Sequence, residues 1–362
     1  MGKNMENFGQ YLTVQDASKK LGVSASTLRN WDKSGKLKSQ RNPYNDYRIY
    51  RQDDIEAILK SLQTQRPNSE VIQPQKKDIS EFKNKVIQGD CLDVMATMPD
   101  KSVDMILCDL PYGTTQNKWD SVIDLNKLWG EYMRIIKDNG AIALTSQGVF
   151  TARLILSNEE WFKYKIVWIK SKSTNFLNAK KQPLRKHEDI CIFYKKQPTY
   201  NPQMTQGESY DKGVRKDQFT GSYGDFKPRH VKSDGQRYPY DVLFYEEDDS
   251  DDCVYFKTAE SEGTVYHPTQ KPIELGRYLI KTFTNPGDIV LDNACGSGSF
   301  LISALLEKRN FIGIEKNEQV MLHKVKPTDY IKVCNDRIKE TISQMQKESN
   351  PLNLISKSAI VF

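Results

Sequence analysis

Apolar residues recur at near-helical spacing through the first sixty positions, at Leu12, Ala17, Leu21 and Val23. The run LGVS interrupts that stretch, and Ser24 or Ser26 can cap a second helix from about Ala25 to Ser34. On the second helix Leu28 and Trp31 share one face, while Thr27, Arg29, Asn30 and Lys33 occupy the others. Gly35 ends it. RNPYNDYRIY then predicts a turn and a short strand, and DDIEAILKSL a closing helix with an acidic first turn. The polar stretch QTQRPNSEVIQPQKKDIS, with two prolines, reads as a linker. From about residue 82 the period changes. The short apolar runs KVIQGD, VDMILCDL, AIALTSQ, KIVWIK, ICIFY, DIVLDNA and FIGIE alternate with helical segments, which predicts an α/β fold on a largely parallel sheet. The expected organisation is a helical module at 1–63, a linker at 64–81, an α/β domain at 82–345 and a tail at 346–362.

Composition narrows the class. A chain of 362 residues has room for two or three domains, and its 10% aromatic content is too high for a disordered polymer. No apolar run approaches the roughly 18 residues that span a bilayer. The start MGKNMENFGQ lacks the apolar stretch of a signal peptide, and Glu6 breaks the myristoylation pattern. The six cysteines are scattered without a CxxC pair, which argues against a zinc site and a disulfide framework, so no metal is expected and the expected address is a reducing cytoplasm. Net charge is only +6, but it is unevenly spread. Lys163 to Arg237 holds 17 Lys and Arg against 7 acids, and nine of the 18 tyrosines lie between Tyr194 and Tyr266. Asp241 to Glu262 reverses the sign, with nine acids and one lysine, and reads as a solvated acidic loop. Cations interleaved with aromatic rings suit a nucleic-acid surface.

Two stretches carry chemistry. In DIVLDNACGSGSFLISALLEKRNFIGIEKN a buried strand enters a turn containing Gly296 and Gly298, then a helix, then a strand ending at Glu315. That is how an α/β sheet takes a nucleotide-like ligand, with the acid placed for ribose hydroxyls. This pattern leaves a nicotinamide cofactor and S-adenosylmethionine (SAM) equally open, while the absence of GK[ST] excludes a P-loop. In SVDMILCDLPYG a strand ends in Asp109, Leu110, Pro111 and Tyr112. A carboxylate, a proline-fixed turn and an aromatic face together suit a planar exocyclic amine.

The stretches GDCLDVMATMPDKSVDMILCDLPYG, WIKSKSTNFLNAKKQPLRKHEDICIFYK, HPTQKPIEL, VLDNACGSGSF and GIEKN, in that order, resemble the β class of amino-methylating DNA methyltransferases. The resemblance covers roughly residues 86–336. It implies a Rossmann-like SAM-dependent methyltransferase fold, with SAM as cofactor and a target-recognition insertion at about 196–262. Asp109 and the Leu110 carbonyl would accept from the target amine, Pro111 would fix the turn, and Tyr112 would stack on a flipped base. Asp292, Gly296 and Gly298 would hold the methionine end of SAM, Glu315 its ribose and Asp90 its adenine side. Thr269 and Lys271 would meet the methionine carboxylate, and His187 and Glu188 fall near the base pocket. The family's usual tetrapeptide is DPPY. Leu110 departs from it but keeps the carbonyl, so activity is expected to survive. Asp at 109 favours N6-adenine over N4-cytosine, which stands as the alternative. The covalent C5-cytosine route would need a Pro-Cys pair, and none occurs.

YLTVQDASKKLGVSASTLRNWDKSGKL and RIYRQDDIEAIL resemble the winged helix-turn-helix of MerR-like proteins and excisionases. That likeness sends Thr27, Arg29 and Asn30, with Ser26, toward DNA, and Arg48 and Arg51 toward phosphates. In the basic insertion Lys212, Arg215, Lys216, Lys227, Arg229 and Arg237 are the expected DNA contacts. The partner is therefore double-stranded DNA, with no membrane. A cognate restriction enzyme and a dimer are both compatible with the family, and the address is that of a nucleoid-associated bacterial or phage protein. A second reading makes the chain a SAM-binding transcriptional regulator led by the helix-turn-helix.

Overall fold

The chain divides into two units, Met1–Gln73 and Pro74–Phe362, at a boundary within the expected linker. A computed structural model describes residues 11–64, 74–113, 122–215, 218–220, 224–226, 229–243, 259, 264–266, 269–317 and 328–348.

In the first unit β1 (Tyr11–Thr13) leads directly into α1 (Val14–Leu21). Thr13 caps α1 by accepting from the Asp16 N–H, and Gly22, at φ 66°, closes its far end through N–H bonds to the Lys19 and Ser18 carbonyls. Ser24 caps α2 (Ala25–Lys33) by accepting from the Thr27 N–H. β2 (Gln40–Arg41) and β3 (Arg48–Arg51) form an antiparallel wing, with β1 on the other side of β3. α3 (Gln52–Thr64) follows. Ala17, Leu21, Leu28, Leu37, Tyr50 and Ile55 are buried together, so each element contributes to one small core.

The second unit contains β4 (Lys85–Gln88), α4 (Cys91–Thr97), β5 (Val103–Cys108), α5 (Leu125–Ile135), β6 (Ile136–Ser146), α6 (Val149–Ser157), β7 (Phe162–Thr174) and β8 (Arg185–Phe193). A two-stranded ribbon comes next. Its strands are β9 (Thr205–Gln206), β10 (Tyr210–Arg215), β11 (Gln218–Thr220), β12 (Gly224–Phe226), β13 (Arg229–Ser233) and β14 (Gln236–Arg237). They pair in nested antiparallel order as three two-stranded sheets, β9 with β14, β10 with β13 and β11 with β12. β15 (Val242–Leu243), α7 (Ile273–Phe283), β16 (Ile289–Asp292), α8 (Ser299–Leu306), β17 (Asn310–Glu315) and α9 (Tyr330–Glu348) complete it.

The central sheet has the order β15-β7-β8-β6-β5-β16-β17-β4, and β8 alone runs against the others. Alternate residues of β5 bury to opposite faces. Met105 and Leu107 join the layer that includes Leu275, Leu279, Phe300 and Leu301, while Ile106 and Cys108 join Met95, Leu128, Tyr132 and Leu154. Burial on both faces explains why the strands read as unbroken apolar runs. β16 continues through α8 into β17 on one side and lies beside β5 on the other. The crevice at such a reversal, beyond the carboxyl ends of the strands, is where open α/β sheets take ligands.

Residues 74–81 differ from the linker that their composition suggests. Lys77 N–H donates to the Thr97 carbonyl at 2.9 Å, and Ile79 packs against the α4–α5 layer. Lys76 Nζ also donates to the Ala96 carbonyl at 2.9 Å, so this otherwise polar segment is attached to the second unit. No helix among the described residues is long and apolar enough to cross a membrane.

Candidate active site

Asp109 follows the last residue of β5, which puts it at the carboxyl edge of the sheet. Cys108 pairs with Leu144, so Thr145 of β6 stands next to Asp109. The Tyr112 hydroxyl donates to Asp109 Oδ1 at 2.8 Å, and the Thr145 hydroxyl donates to the same oxygen. Lys271 Nζ donates to Oδ2 at 2.6 Å. Leu110 is buried, and the Tyr112 ring stacks on Phe150 of α6 with centroids 5.1 Å apart at 27°. Burial first, then the Asp109 charge, pushes the Tyr112 hydroxyl well above its ordinary value, so it remains a protonated donor.

Lys271 also lies 3.4 Å from Glu188 Oε2, and Glu188 Oε1 lies 3.0 Å from Lys170 Nζ. Glu188 and Lys170 come from the paired strands β8 and β7, where Trp168 faces Glu188. Lys170 also donates to Thr174 Oγ1 at 3.2 Å. Two carboxylates and two ammonium groups thus form one chain of contacts in which both lysines are buried. Burial opposes the charge on Lys271, but Asp109 and Glu188 outweigh it and hold the ammonium above its usual pKa. Burial likewise pushes the Glu188 carboxyl up, and Lys271 and Lys170 outweigh it and hold it below the usual value. Both groups are therefore charged near neutrality.

The second half of the site is built at the adjacent strand end. Asp292 closes β16, is almost fully buried, and accepts from the Ala294 N–H at 3.2 Å. Burial pushes its carboxyl up to about 7. In the turn that follows, Gly296 has φ 49° and Gly298 φ 80°. A Cβ on Gly298 would come within 2.3 Å of Cys334 Sγ, so the turn needs glycine there for backbone shape and for space. Glu315, ending β17, accepts from the Gly296 N–H at 2.8 Å and from the Asn317 N–H at 2.9 Å. Asp90 caps α4 by accepting from Leu92 N–H, beside a bond from Gly89 N–H to the Glu315 carbonyl. Gln270 Oε1 accepts from Ser297 Oγ at 3.2 Å, which ties the segment carrying Lys271 to the glycine turn. Thr269 is exposed. The Asp109 edge, the Lys271 segment and the glycine turn are therefore one site. Ser299 Oγ, in the first turn of α8, is buried without a hydrogen-bond partner. An orphaned hydroxyl beside left-handed glycines and a strand-end acid is a donor set that fits SAM.

Several of these groups escape a sequence reading. Thr145, Phe150, Lys170 and Gln270 complete the site; Thr145 and Lys170 leave a trace as polar residues ending apolar runs, and Gln270 stands within HPTQKPIEL without a role of its own. His187 is exposed, and its carbonyl accepts from Gln147 Nε2. Cys108 is fully buried, and burial pushes its thiol well above the ordinary value, which leaves no thiolate for covalent attack.

The expected DNA contacts are partly presented. Arg29 and Asn30 are exposed on α2, while the Thr27 hydroxyl turns back to Ser24 Oγ at 2.8 Å. Arg48 donates to Asp32 Oδ2 at 2.9 Å and so braces the wing against α2 rather than projecting. Arg51 lies 3.4 Å from Asp53. On the ribbon, Lys212 and Arg237 lie 4.6 Å and 4.9 Å from the Tyr210 ring, Arg229 is exposed, and Arg215 pairs with Arg229 across the strands. Lys216 and Lys227 lie outside the described residues.

Residues 103–326 match the DNA methylase family that groups N6 and N4 amino-methylating enzymes, and residues 13–50 match the MerR family of regulatory proteins. The chain is 25% identical over 314 residues to the type II methyltransferase M.HinfI of Haemophilus influenzae, covering 78% of this chain and 74% of that one. It is 29% identical over 250 residues to the DNA adenine methyltransferase YhdJ of Escherichia coli (strain K12), covering 65% of this chain and 79% of that one. Among solved structures it is similar to the M1.HpyAVI–SAM complex, with 20% identity, a TM-score of 0.45, and coverage of 70% of this chain and 98% of that one.

Proposed function

Since the chain belongs to the DNA methylase family and is a SAM-dependent DNA methyltransferase, we propose that it methylates the N6 amine of adenine at a specific site in double-stranded DNA. The observation that carries this reading is the set of donors around Asp109. An ionised carboxylate offers about four acceptor positions, and Tyr112, Thr145 and Lys271 fill three, which leaves one for an incoming N–H. Lys271, held charged, donates to Asp109 Oδ2. The Leu110 carbonyl supplies the second acceptor, and its side chain is irrelevant to that role. An exocyclic amine is a poor nucleophile because its lone pair is conjugated into the ring. Two acceptors on its hydrogens draw the nitrogen toward tetrahedral geometry and free that lone pair.

SAM supplies the methyl group as an already activated sulfonium electrophile. Asp292, Gly296, Gly298 and Glu315 would hold it, with Asp90 and Thr269 at the margins. Lys271 has three N–H donors, of which Asp109 takes one while Glu188 stands 3.4 Å away as an ion pair, so donor capacity remains for a cofactor carboxylate. The target base must leave the stack to reach this crevice. Tyr112, already seated on Phe150, offers it a flat face. After transfer the nitrogen is acidic, and its proton passes through Asp109 to solvent. Asp in place of Ser at 109, and the adenine named for the YhdJ relative, support N6 over N4.

Arg29 and Asn30 on α2, and the ribbon residues Lys212, Arg215, Arg229 and Arg237, would contact the duplex, together with Thr27, Lys216 and Lys227. Asp109→Ala should abolish labelled-methyl transfer to genomic DNA while leaving SAM binding by calorimetry within about threefold of the parent, since its loss removes an interaction of the target amine. Full transfer by that variant would sink the assignment.

A further inference from the structure

The connection between β7 and β8, residues 175–184, stands at the same sheet edge as Asp109 and is a built turn. Asn175 takes φ 71° and accepts from Asn178 Nδ2 at 2.7 Å. Backbone N–H groups of Asn178, Lys181 and Gln182 close successive turns at 3.0, 2.8 and 3.0 Å. This ordered knob holds two neighbouring large apolar side chains in solvent, Phe176 at 75% exposure and Leu177 at 84%. Leu184 is exposed as well. From Lys170 to His187 the sequence contains no acid, and Lys172, Lys180, Lys181, Arg185 and Lys186 are all exposed. The base of the connection is tied to the catalytic carboxylate. Lys170 bonds Thr174, Thr174 Oγ1 donates to the Arg185 carbonyl at 3.4 Å, and Lys170 leads through Glu188 and Lys271 to Asp109.

We propose that this connection is a DNA wedge, in which Phe176 and Leu177 enter the base stack beside the target nucleotide while the surrounding lysines and arginines hold phosphates. An apolar pair raised on a hydrogen-bonded turn, and flanked along the chain by exposed cations without one acid, has the chemistry of side chains that part a base step. The cations select a polyanion, and the apolar tip gains nothing from the backbone alone, so it must meet the bases. Unstacking is the cost of bringing the target to Asp109, and a side chain that fills the vacated space offsets it. The inference rests on the DNA methyltransferase reading with base flipping.

The test uses the full chain, SAM and two synthetic duplexes carrying the site that the enzyme methylates. One duplex is fully paired, and the other has an abasic position opposite the target. The variant Phe176→Ala/Leu177→Ala should lose about tenfold or more in kcat/KM on the paired duplex and recover most of it on the abasic one, where extrusion is cheap. Phe176→Leu/Leu177→Met, which keeps the tip apolar, should stay near the parent on both. Unchanged SAM binding checks the fold. Equal losses on the two duplexes would overturn the wedge, as would full activity on the paired one. So would a changed sedimentation coefficient with an unchanged ratio of rates, which would make the tip a contact between two copies. The parent's rate on the paired duplex tests the underlying activity separately.

Discussion

Lys271 reaches Asp109 across 162 positions of sequence and shares itself with Glu188. Removing it would leave Asp109 without its ammonium partner at a largely buried site, and Glu188 with Lys170 alone. Such a break in a buried ion pair costs about 3–5 kcal/mol. Lys271→Met should therefore lower the urea midpoint markedly and also abolish transfer, because Asp109 then loses its ammonium partner. A variant as stable as the parent would show that the network is not closed as described. Asp292 gives a pH signature. Its carboxyl is pushed up from 3.8 to about 7 in the fold, so it binds its proton more tightly folded than unfolded. The stability that this adds is complete below about pH 4 and is lost as pH rises through about 7. Urea midpoints from pH 5 to 8 should fall for the parent and flatten in Asp292→Asn. A parallel fall in both proteins would assign the effect elsewhere.

Strands and turns were the most legible elements. DLPY and GSG stood out because a strand end and a tight turn need few residue types, and the structure puts both at one sheet edge. The ribbon strands between Thr205 and Arg237 leave little trace, because they are short and polar and so lack the apolar alternation that a buried face imposes. The pairing of Lys170 with Glu188 is equally opaque, although the family resemblance already sends Glu188 toward the base pocket. Their partnership depends on the register of β7 against β8, which local pattern does not encode. Arg48 looked like a phosphate contact from its place in the wing, and its bond to Asp32 is a tertiary fact. The ribbon carries its own prediction. Each phosphate contact contributes about 0.9 to the slope of log affinity against log salt. Reversing Lys212, Arg229 and Arg237 to Glu should weaken binding to a duplex and reduce that slope by about 2–3. An unchanged slope in a fluorescence titration would move the DNA surface off the ribbon.

On the scale of the whole molecule, a small winged module precedes a catalytic α/β unit, and each closes its own core. A net charge of +6 conceals this plan, because 17 Lys and Arg against 7 acids from Lys163 to Arg237 are followed by nine acids against one lysine from Asp241 to Glu262. The sheet order brings Asp109 and Asp292 to adjacent strand ends, so a base amine and a cofactor methyl can meet in one crevice. The most direct measurement is long-read sequencing of DNA from cells that express either the parent chain or Asp109→Ala. The account predicts N6-methyladenine in one short sequence context with the parent, and its disappearance with the variant. Methylation on cytosine N4, or adenine methylation that persists in Asp109→Ala, would contradict it.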